Sequence, residues 1–168
     1  TINDLYWIPG GNIELKPENG YSTDLGLRWN KKIGLNILSF EPSLYSRWIE
    51  DWIQWQPNGS YWSPLNIKTV WNRGIETTTK LNRSFQNFRL KACLKTAYNI
   101  STNLDLYNSN EFLLNKQLIY VPHYKAVAKI VLEFKNINLT YLHNYTGYRF
   151  TSRDNISFLP AFNLGRIF

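Results

Sequence analysis

The sequence predicts an all-β fold, an antiparallel transmembrane β-barrel segment of about seven strands. Apolar and polar side chains alternate over most of the chain, which is the period of a β-strand. The predicted connections alternate between short and long, and outer-membrane barrels place short turns on one rim and long loops on the other. Aromatic residues make up 16% of the chain, and many fall near strand ends, as in membrane girdles.

The alternation defines the strands in order along the chain. It begins at residues 21–29, and Lys31-Lys32 is then predicted to be a short turn. A second run covers 33–55, and it should be irregular at Pro42 because proline cannot donate a ladder hydrogen bond. Further strands are predicted at 68–81, 88–98, 125–134, 139–147 and 162–168.

The connections between these runs fall into two classes. The short ones are predicted at 31–32, 82–84 and 135–138. The long ones are predicted at 56–66, 99–116 and 152–160. A soluble sandwich has no reason to sort its loops in this way, so the sorting favours a barrel.

The two faces of the predicted strands differ in polarity. One face carries Leu, Ile, Ala, Phe and Tyr, and the other carries charged side chains even in mid-strand, including a predicted ion pair of Asp24 with Arg28. In a barrel the polar face lines the lumen and the apolar face meets lipid. Periodicity alone also allows a sandwich whose polar face meets water and whose aromatic residues form a core. The aromatic residues predicted for the girdles are Tyr21, Trp29, Trp55, Trp71, Tyr98, Tyr120 and Tyr145.

Composition excludes several other classes of function. The net charge of +7 comes from basic residues scattered along strand-like runs, which favours a solvated basic face over nucleic-acid binding. The single cysteine, Cys93, excludes an internal disulfide, and two histidines without a paired ligand spacing make a metal site improbable. Glu50-Asp51 point to opposite faces of a strand, so the pair does not form a catalytic carboxylate site. We therefore expect no enzyme activity, no cofactor and no metal.

Six short motifs follow one another along nearly the whole chain. They are NIELKPE at 12–18, GYSTDLGL at 20–27, IEDWIQWQP at 49–57, WSPLN at 62–66 with RGIE at 73–76, LIYVPH at 118–123 and YTGYRF at 145–150. In this order and at these spacings they resemble the C-terminal part of the β-barrel of TonB-dependent outer-membrane receptors, in the form common in Bacteroidota.

The resemblance implies both an architecture and a function. Residues 1–168 would form a single segment of a barrel of about 22 strands in the bacterial outer membrane, with the plug domain and the closing strands absent from this chain. The whole receptor would import a scarce nutrient, such as a siderophore–iron complex, haem or a corrinoid, energised through TonB. Its partners would be a TonB-type protein acting on the plug, the remaining barrel strands, outer-membrane lipid and the small-molecule nutrient, with no nucleic acid.

The residues themselves suggest one contact site for a ligand. Trp55, Tyr61 and Trp62 are placed at a predicted extracellular loop, where aromatic side chains form natural capture surfaces. The alternative is that they pack against neighbouring loops. Two other functions stay open at this point: a secreted β-sandwich that stacks carbohydrate on Trp55 and Trp62, and a small autonomous outer-membrane barrel.

Overall fold

The computed structural model describes residues 1–107 and 111–168, and part of the predicted loop 99–116 lies outside these residues. The elements are α1 (Ile2–Tyr6), β1 (Asn19–Gly26), β2 (Trp29–Ile33), β3 (Asn36–Asn58), β4 (Tyr61–Ser84), β5 (Phe88–Asp105), a 3-10 turn (Glu111–Leu113), β6 (Tyr124–Phe134), β7 (Ile137–Thr146), β8 (Arg149–Phe150), β9 (Phe158–Leu159) and β10 (Phe162–Ile167). One antiparallel sheet runs in the order β1-β3-β4-β5-β6-β7-β10, and β2 also pairs with β3. A two-stranded ribbon of β8 and β9 lies outside this sheet.

Strands β1 and β2 pair with the same edge of β3 and together occupy one strand position. The large sheet therefore has the seven strand positions that were predicted. Gly26 pairs with Ser43 and Trp29 pairs with Phe40, which is the same register on both sides of the break. The break faces Pro42, whose carbonyl accepts from the Leu27 N–H at 2.9 Å but which has no N–H to return. The irregularity predicted at Pro42 is confirmed.

Three tight connections share one edge of the sheet, which we call the short-turn rim. They are formed by residues 34–35, 85–87 and 135–136. The predicted turn at Lys31-Lys32 is wrong, because both lysines pair with β3 and the chain reverses at Gly34, whose φ is +57°. The predicted turn at 82–84 also falls within β4, and the reversal follows it.

The opposite edge, which we call the outer rim, carries the other connections. The long loop predicted at 56–66 is wrong: β3 and β4 continue to Asn58 and Tyr61 and join through a two-residue turn. Gly59 in that turn has a φ of +63°, which glycine adopts without steric cost. The connections at 106–123 and 147–161 are long, as expected.

Strand register sorts the side chains onto two faces of different chemistry. In the register of the large sheet the apolar face carries four charged residues: Lys31 and Arg83 on the side of the short-turn rim, and Glu50 and Arg73 on the side of the outer rim. The other face carries charge along its whole length, and we call it the lumenal face. The aromatic side chains Tyr98 and Tyr124 pair near the outer rim, and Phe88 and Phe134 pair ten residues away. That separation is about 33 Å of strand, which at a 40° tilt gives the height of about 25 Å of a membrane band.

Five of the seven predicted girdle aromatics lie on the apolar face: Tyr21, Trp29, Trp71, Tyr98 and Tyr145. The girdle prediction is wrong for Trp55, which lies beyond the band near the tip of the β3–β4 hairpin, and for Tyr120, which lies in the β5–β6 connection. The apolar side chains of the band are exposed, with Leu94 44% and Leu139 47% accessible, so no second sheet covers them as a sandwich requires. No helix in the described residues is long and apolar enough to cross a membrane.

The lumenal face is braced where Tyr45 crosses Gly74. These residues are register partners, and the Tyr45 hydroxyl passes over the glycine to donate to Asn99 Oδ1 at 2.9 Å. A Cβ at Gly74 would lie 2.6 Å from the Tyr45 hydroxyl oxygen and 2.2 Å from the Tyr98 carbonyl oxygen. The RGIE motif therefore needs glycine at this position for a close approach across three strands.

Candidate functional site

The β3–β4 hairpin projects beyond the aromatic row at the outer rim. Trp48 pairs with Trp71 in that row, and the strands then continue for about ten residues, or about 33 Å, to the turn at Gly59. Asp51 interrupts the pairing with a φ of +56°, and the register of β4 with β5 shifts between Thr69 and Val70. These two irregularities bring Ile67 and Val70 to the same side of the hairpin although they are three residues apart.

A small buried core forms on that side of the hairpin. Ile67, Val70 and Leu118 are 6%, 0% and 4% exposed, and Trp52, Leu106 and Val121 pack around them. Buried Gln117 accepts from the Ser101 N–H at 2.9 Å and donates to the Val121 carbonyl at 3.2 Å. The β5–β6 connection is therefore packed against the hairpin and held by the hydrogen bonds of buried Gln117.

The first motif, at 12–18, is bound to the hairpin by hydrogen bonds between side chains and backbone groups. Asn66 accepts from the Lys16 N–H at 2.8 Å, and its Nδ2 donates to the Lys16 carbonyl at 3.0 Å and to the Asp51 carbonyl at 2.6 Å. Asn12 Nδ2 donates to the Pro64 carbonyl at 3.2 Å, and Glu18 accepts from the Ile53 N–H at 2.7 Å.

These contacts explain why three of the motifs occur together. Each side chain that carries the docking belongs to NIELKPE or WSPLN, and the backbone groups they meet include those of IEDWIQWQP. Gly10 lets the segment before the first motif pack closely against the hairpin, because a Cβ at this position would lie 1.9 Å from the Trp62 carbonyl oxygen. These three motifs are thus parts of one joint at the outer rim.

The last two motifs also meet each other. The Tyr120 N–H donates to the Phe150 carbonyl at 2.8 Å, and His123 lies edge-on to Tyr148 with ring centroids 5.9 Å apart. His123 Nδ1 is 3.0 Å from the Asn99 carbonyl oxygen. LIYVPH and YTGYRF therefore hold the two long connections together, and His123 has a structural role at this contact.

A crevice of about 260 Å³ opens between the hairpin, the docked segment and the two long connections. It is lined by Glu14, Lys16, Gln56, Leu65, Asn66, Ile67, Leu106, Tyr107 and Arg153. This mixture of apolar walls, amides and charged ends is the usual lining of a small-molecule site.

Charged groups surround the mouth of the crevice. Lys16 Nζ donates to the Tyr107 hydroxyl at 3.1 Å, which raises the pKa of Lys16, and that hydroxyl in turn donates to Asp51. Lys68 lies 2.6 Å from Asp105 and lowers the pKa of that carboxyl group through this hydrogen bond. The Lys16 ammonium group and the Asp105 carboxylate are therefore ionised at neutral pH.

The three aromatic residues predicted to contact ligand lie close together near the hairpin tip, within strands. Trp55 is partly buried, and its Nε1 donates to Asp4 Oδ1 at 2.8 Å, so its indole holds the N-terminal helix. Tyr61 and Trp62 are 41% and 42% exposed. The Trp62 ring lies 5.5 Å from that of Tyr120, and the two form a tilted pair.

Sequence reasoning missed the residues that build the crevice. Asn66, Tyr107 and Arg153 come from three distant parts of the chain and meet only in the fold. The one signal was that Asn66 ends the WSPLN motif, which gave no indication of its partners.

The comparisons with known proteins agree with this architecture. The family model described as "TonB dependent receptor-like, beta-barrel" matches residues 1–164. The chain is 41% identical over 78 residues to the vitamin B12 transporter BtuB of Vibrio vulnificus, covering 45% of this chain and 12% of the relative. It is 31% identical over 83 residues to the vitamin B12 transporter BtuB of Photobacterium profundum, covering 46% of this chain and 13% of that relative.

A solved structure shares the fold. The FrpB iron transporter from Neisseria meningitidis (F3-3 variant) superposes with a TM-score of 0.55 at 15% identity, covering 92% of this chain and 24% of that one. The chain thus spans about an eighth of the length of the curated relatives and about a quarter of the solved transporter.

Proposed function

This chain belongs to the TonB dependent receptor-like β-barrel family, and from that premise we propose that it is part of a receptor that imports a scarce nutrient with energy supplied through TonB. It is a segment of an outer-membrane β-barrel. The observation that carries the proposal is the two-faced sheet, with a mainly apolar band on one face and charge along the whole length of the lumenal face. A wall of this kind suits a wide, wet lumen through which a polar solute passes.

The proposed cargo is a siderophore–iron complex, haem or a corrinoid. The relatives named as vitamin B12 transporters support a corrinoid, and the solved structure named as an iron transporter is consistent with an iron-containing cargo. The proposed partners are a TonB-type protein acting on a plug domain and the barrel strands that complete the wall. Residues 1–168 form a single barrel segment in this proposal, and the plug and closing strands belong to other parts of the receptor.

The outer rim is the proposed place of first contact with the solute. Tyr61 and Trp62 present partly exposed rings near the tip of the hairpin that forms one wall of the crevice, and the Trp55 indole binds Asp4 of the N-terminal helix at the same tip. Aromatic rings can bind a flat or apolar part of a ligand, and the amide and charged groups of the crevice can orient its polar part.

Replacing Tyr61 and Trp62 together with alanine should weaken solute binding by the full-length receptor about tenfold, because two exposed aromatic contacts are lost. Equilibrium binding to purified outer membranes measures the effect. Tyr6→Ala is the control, because Tyr6 is an aromatic residue 66% exposed on the N-terminal helix and is not one of the proposed contact residues. Equal affinity of the double variant and the control would remove these rings from the site.

Uptake by cells tests the function directly. The full-length receptor is produced in a bacterial strain that lacks its own receptors for iron chelates, haem and corrinoids. Accumulation of radiolabelled cargo should depend on the receptor and should fall to background when TonB is deleted. Accumulation that persists without TonB, or surface binding with no uptake of any cargo class, would contradict the proposal.

A further inference from the structure

The lumenal face of this segment is strongly basic. Register places ten basic side chains on it: Arg28, Lys32, Arg47, Lys80, Arg89, Lys91, Lys95, Lys125, Lys129 and Arg166. It places four acidic side chains there: Asp24, Glu41, Glu76 and Glu133. The excess of positive charge on this one face accounts for most of the net charge of +7 of the whole chain.

The acids on this face are mostly engaged with other groups. Glu41 pairs with both Arg28 and Lys80, at 3.3 Å and 3.6 Å. Glu133 pairs with Lys91. The predicted pair of Asp24 with Arg28 is therefore wrong, although both residues do lie on this face.

Three exposed lysines in β5 and β6 have no ion pair among the described residues. We call Lys95, Lys125 and Lys129 the lumenal lysine cluster. Lys95 is paired with Val127, so the two other lysines are its diagonal neighbours on the same face, at about 7–8 Å. The acid nearest to them by register is Glu76, a diagonal neighbour of Lys95 across the other edge of β5.

Such a cluster attracts anions. Like charges at neighbouring positions of a sheet repel one another, and an approaching anion relieves that repulsion. A channel wall of one charge sign focuses the field and raises the local concentration of ions of the opposite sign. Lysine suits a passing contact, because its ammonium is a compact point charge on a flexible stem, whereas arginine is preferred for lasting interfacial ion pairs.

We propose that the lumenal lysine cluster contacts the anionic groups of the transported solute, so that the cargo is an anionic chelate or carboxylate-bearing macrocycle. The inference rests on the proposed uptake function and narrows its cargo. It favours a negatively charged iron chelate or haem over a corrinoid without net charge. The solute meets Lys95, Lys125 and Lys129 after it has left the outer rim.

The test uses the full-length receptor and three probes: ferric citrate and haem, which carry carboxylates, and cyanocobalamin, which has no net charge. The variant Lys95→Gln/Lys125→Gln/Lys129→Gln removes the cluster. The control Lys31→Gln/Arg83→Gln/Lys135→Gln removes the same net charge from positions outside the lumenal face and outside the crevice. Initial uptake rates are measured below saturation and at two salt concentrations.

Wild-type receptor should take up at least one of the two anionic probes. The cluster variant should reduce that rate about tenfold, with a smaller difference at high salt, and the control should stay within about twofold. An unchanged rate in the cluster variant, or uptake of cyanocobalamin alone, would overturn the inference while leaving the uptake function intact. No uptake of any probe by the wild type would instead contradict the uptake function on which the inference rests.

A second measurement separates solute contact from contact with an acidic protein surface inside the barrel. If the lysines hold such a surface, the cluster variant should lower the thermal unfolding temperature and increase protease cleavage within the lumen. That result, with anionic and neutral probes affected equally, would overturn the inference. Unchanged stability with a selective loss of anionic uptake supports it.

Discussion

Leu94→Arg should destabilise the folded barrel by about 2–4 kcal/mol, the cost of a basic side chain near the midplane of a lipid-facing wall. Leu94 is 44% exposed on the apolar face and lies four residues from Tyr98 and six from Phe88, which border the band. The register partners and diagonal neighbours of Leu94 on that face are all uncharged, so an arginine there has no ion-pair partner beside it in the sheet. Its guanidinium group must reach an interface or draw water into the lipid.

Thr78→Arg is the matched control, because it lies one residue along β4 from Thr79, the register partner of Leu94, and faces the lumen. Its register partners are Glu41 on β3 and Lys95 on β5, so the new charge has one neighbour of each sign in a solvated face. Urea unfolding of the full-length receptor in phosphatidylcholine vesicles measures both variants. Similar unfolding midpoints for Leu94→Arg and Thr78→Arg would mean that the two faces do not meet different solvents, and the membrane assignment of the sheet would be lost.

Local periodicity predicted the parts of this fold that depend on one strand at a time. Alternation from 88 to 98 and from 125 to 134 placed those strands and sorted their side chains onto the correct faces, because the pleat has a period of two residues. The break at Pro42 followed from its missing N–H. The predicted all-β class and the seven strand positions of the large sheet are confirmed.

The errors arise where polar composition suggested a loop. Residues 56–66 contain two prolines, asparagines and a glycine, yet they form the end of a hairpin whose turn needs only Gly59 and Ser60. Pro64 lies near the start of β4, where β4 pairs with β3 alone because its pairing with β5 begins only at Thr69. This part of β4 is therefore an edge, where proline is tolerated. The turn predicted at Lys31-Lys32 is wrong because two adjacent charged residues can belong to a strand and point to its opposite faces.

The candidate site was beyond sequence reasoning because it is made of long-range contacts. Trp55 was predicted as a capture residue, but its indole is engaged by Asp4, fifty-one residues away. The family resemblance identified the motifs but did not indicate their structural role. In the fold, the motifs at 12–18, 49–57 and 62–66 bind one another at the outer rim. Their spacing along the chain reflects the strand lengths needed to bring Lys16, Asp51 and Asn66 together.

A second large effect is expected when the Asn66 side chain is removed from the joint at the outer rim. Asn66→Ala should remove three hydrogen bonds, two to Lys16 and one to Asp51, and release residues 11–18 from the hairpin. At roughly 0.5–1.5 kcal/mol for each bond, and with two of them at exposed positions, local opening should become easier by about 2 kcal/mol. That corresponds to about a thirtyfold rise in the open population, since 1.4 kcal/mol is tenfold.

Hydrogen exchange at the Lys16 amide reports this opening, because its N–H is bound to Asn66 Oδ1 in the closed form. Asn58→Ala is the control: the same side chain is removed from the same hairpin, where its only side-chain contact is a 3.5 Å approach to the Tyr61 hydroxyl. Asn66→Asp separates the contributions further, because it keeps the acceptor for Lys16 N–H and loses both donated bonds. Exchange should therefore rise in the order Asn58→Ala, Asn66→Asp, Asn66→Ala, whereas equal protection in all three would mean that the 12–18 motif is held at the outer rim by contacts other than Asn66.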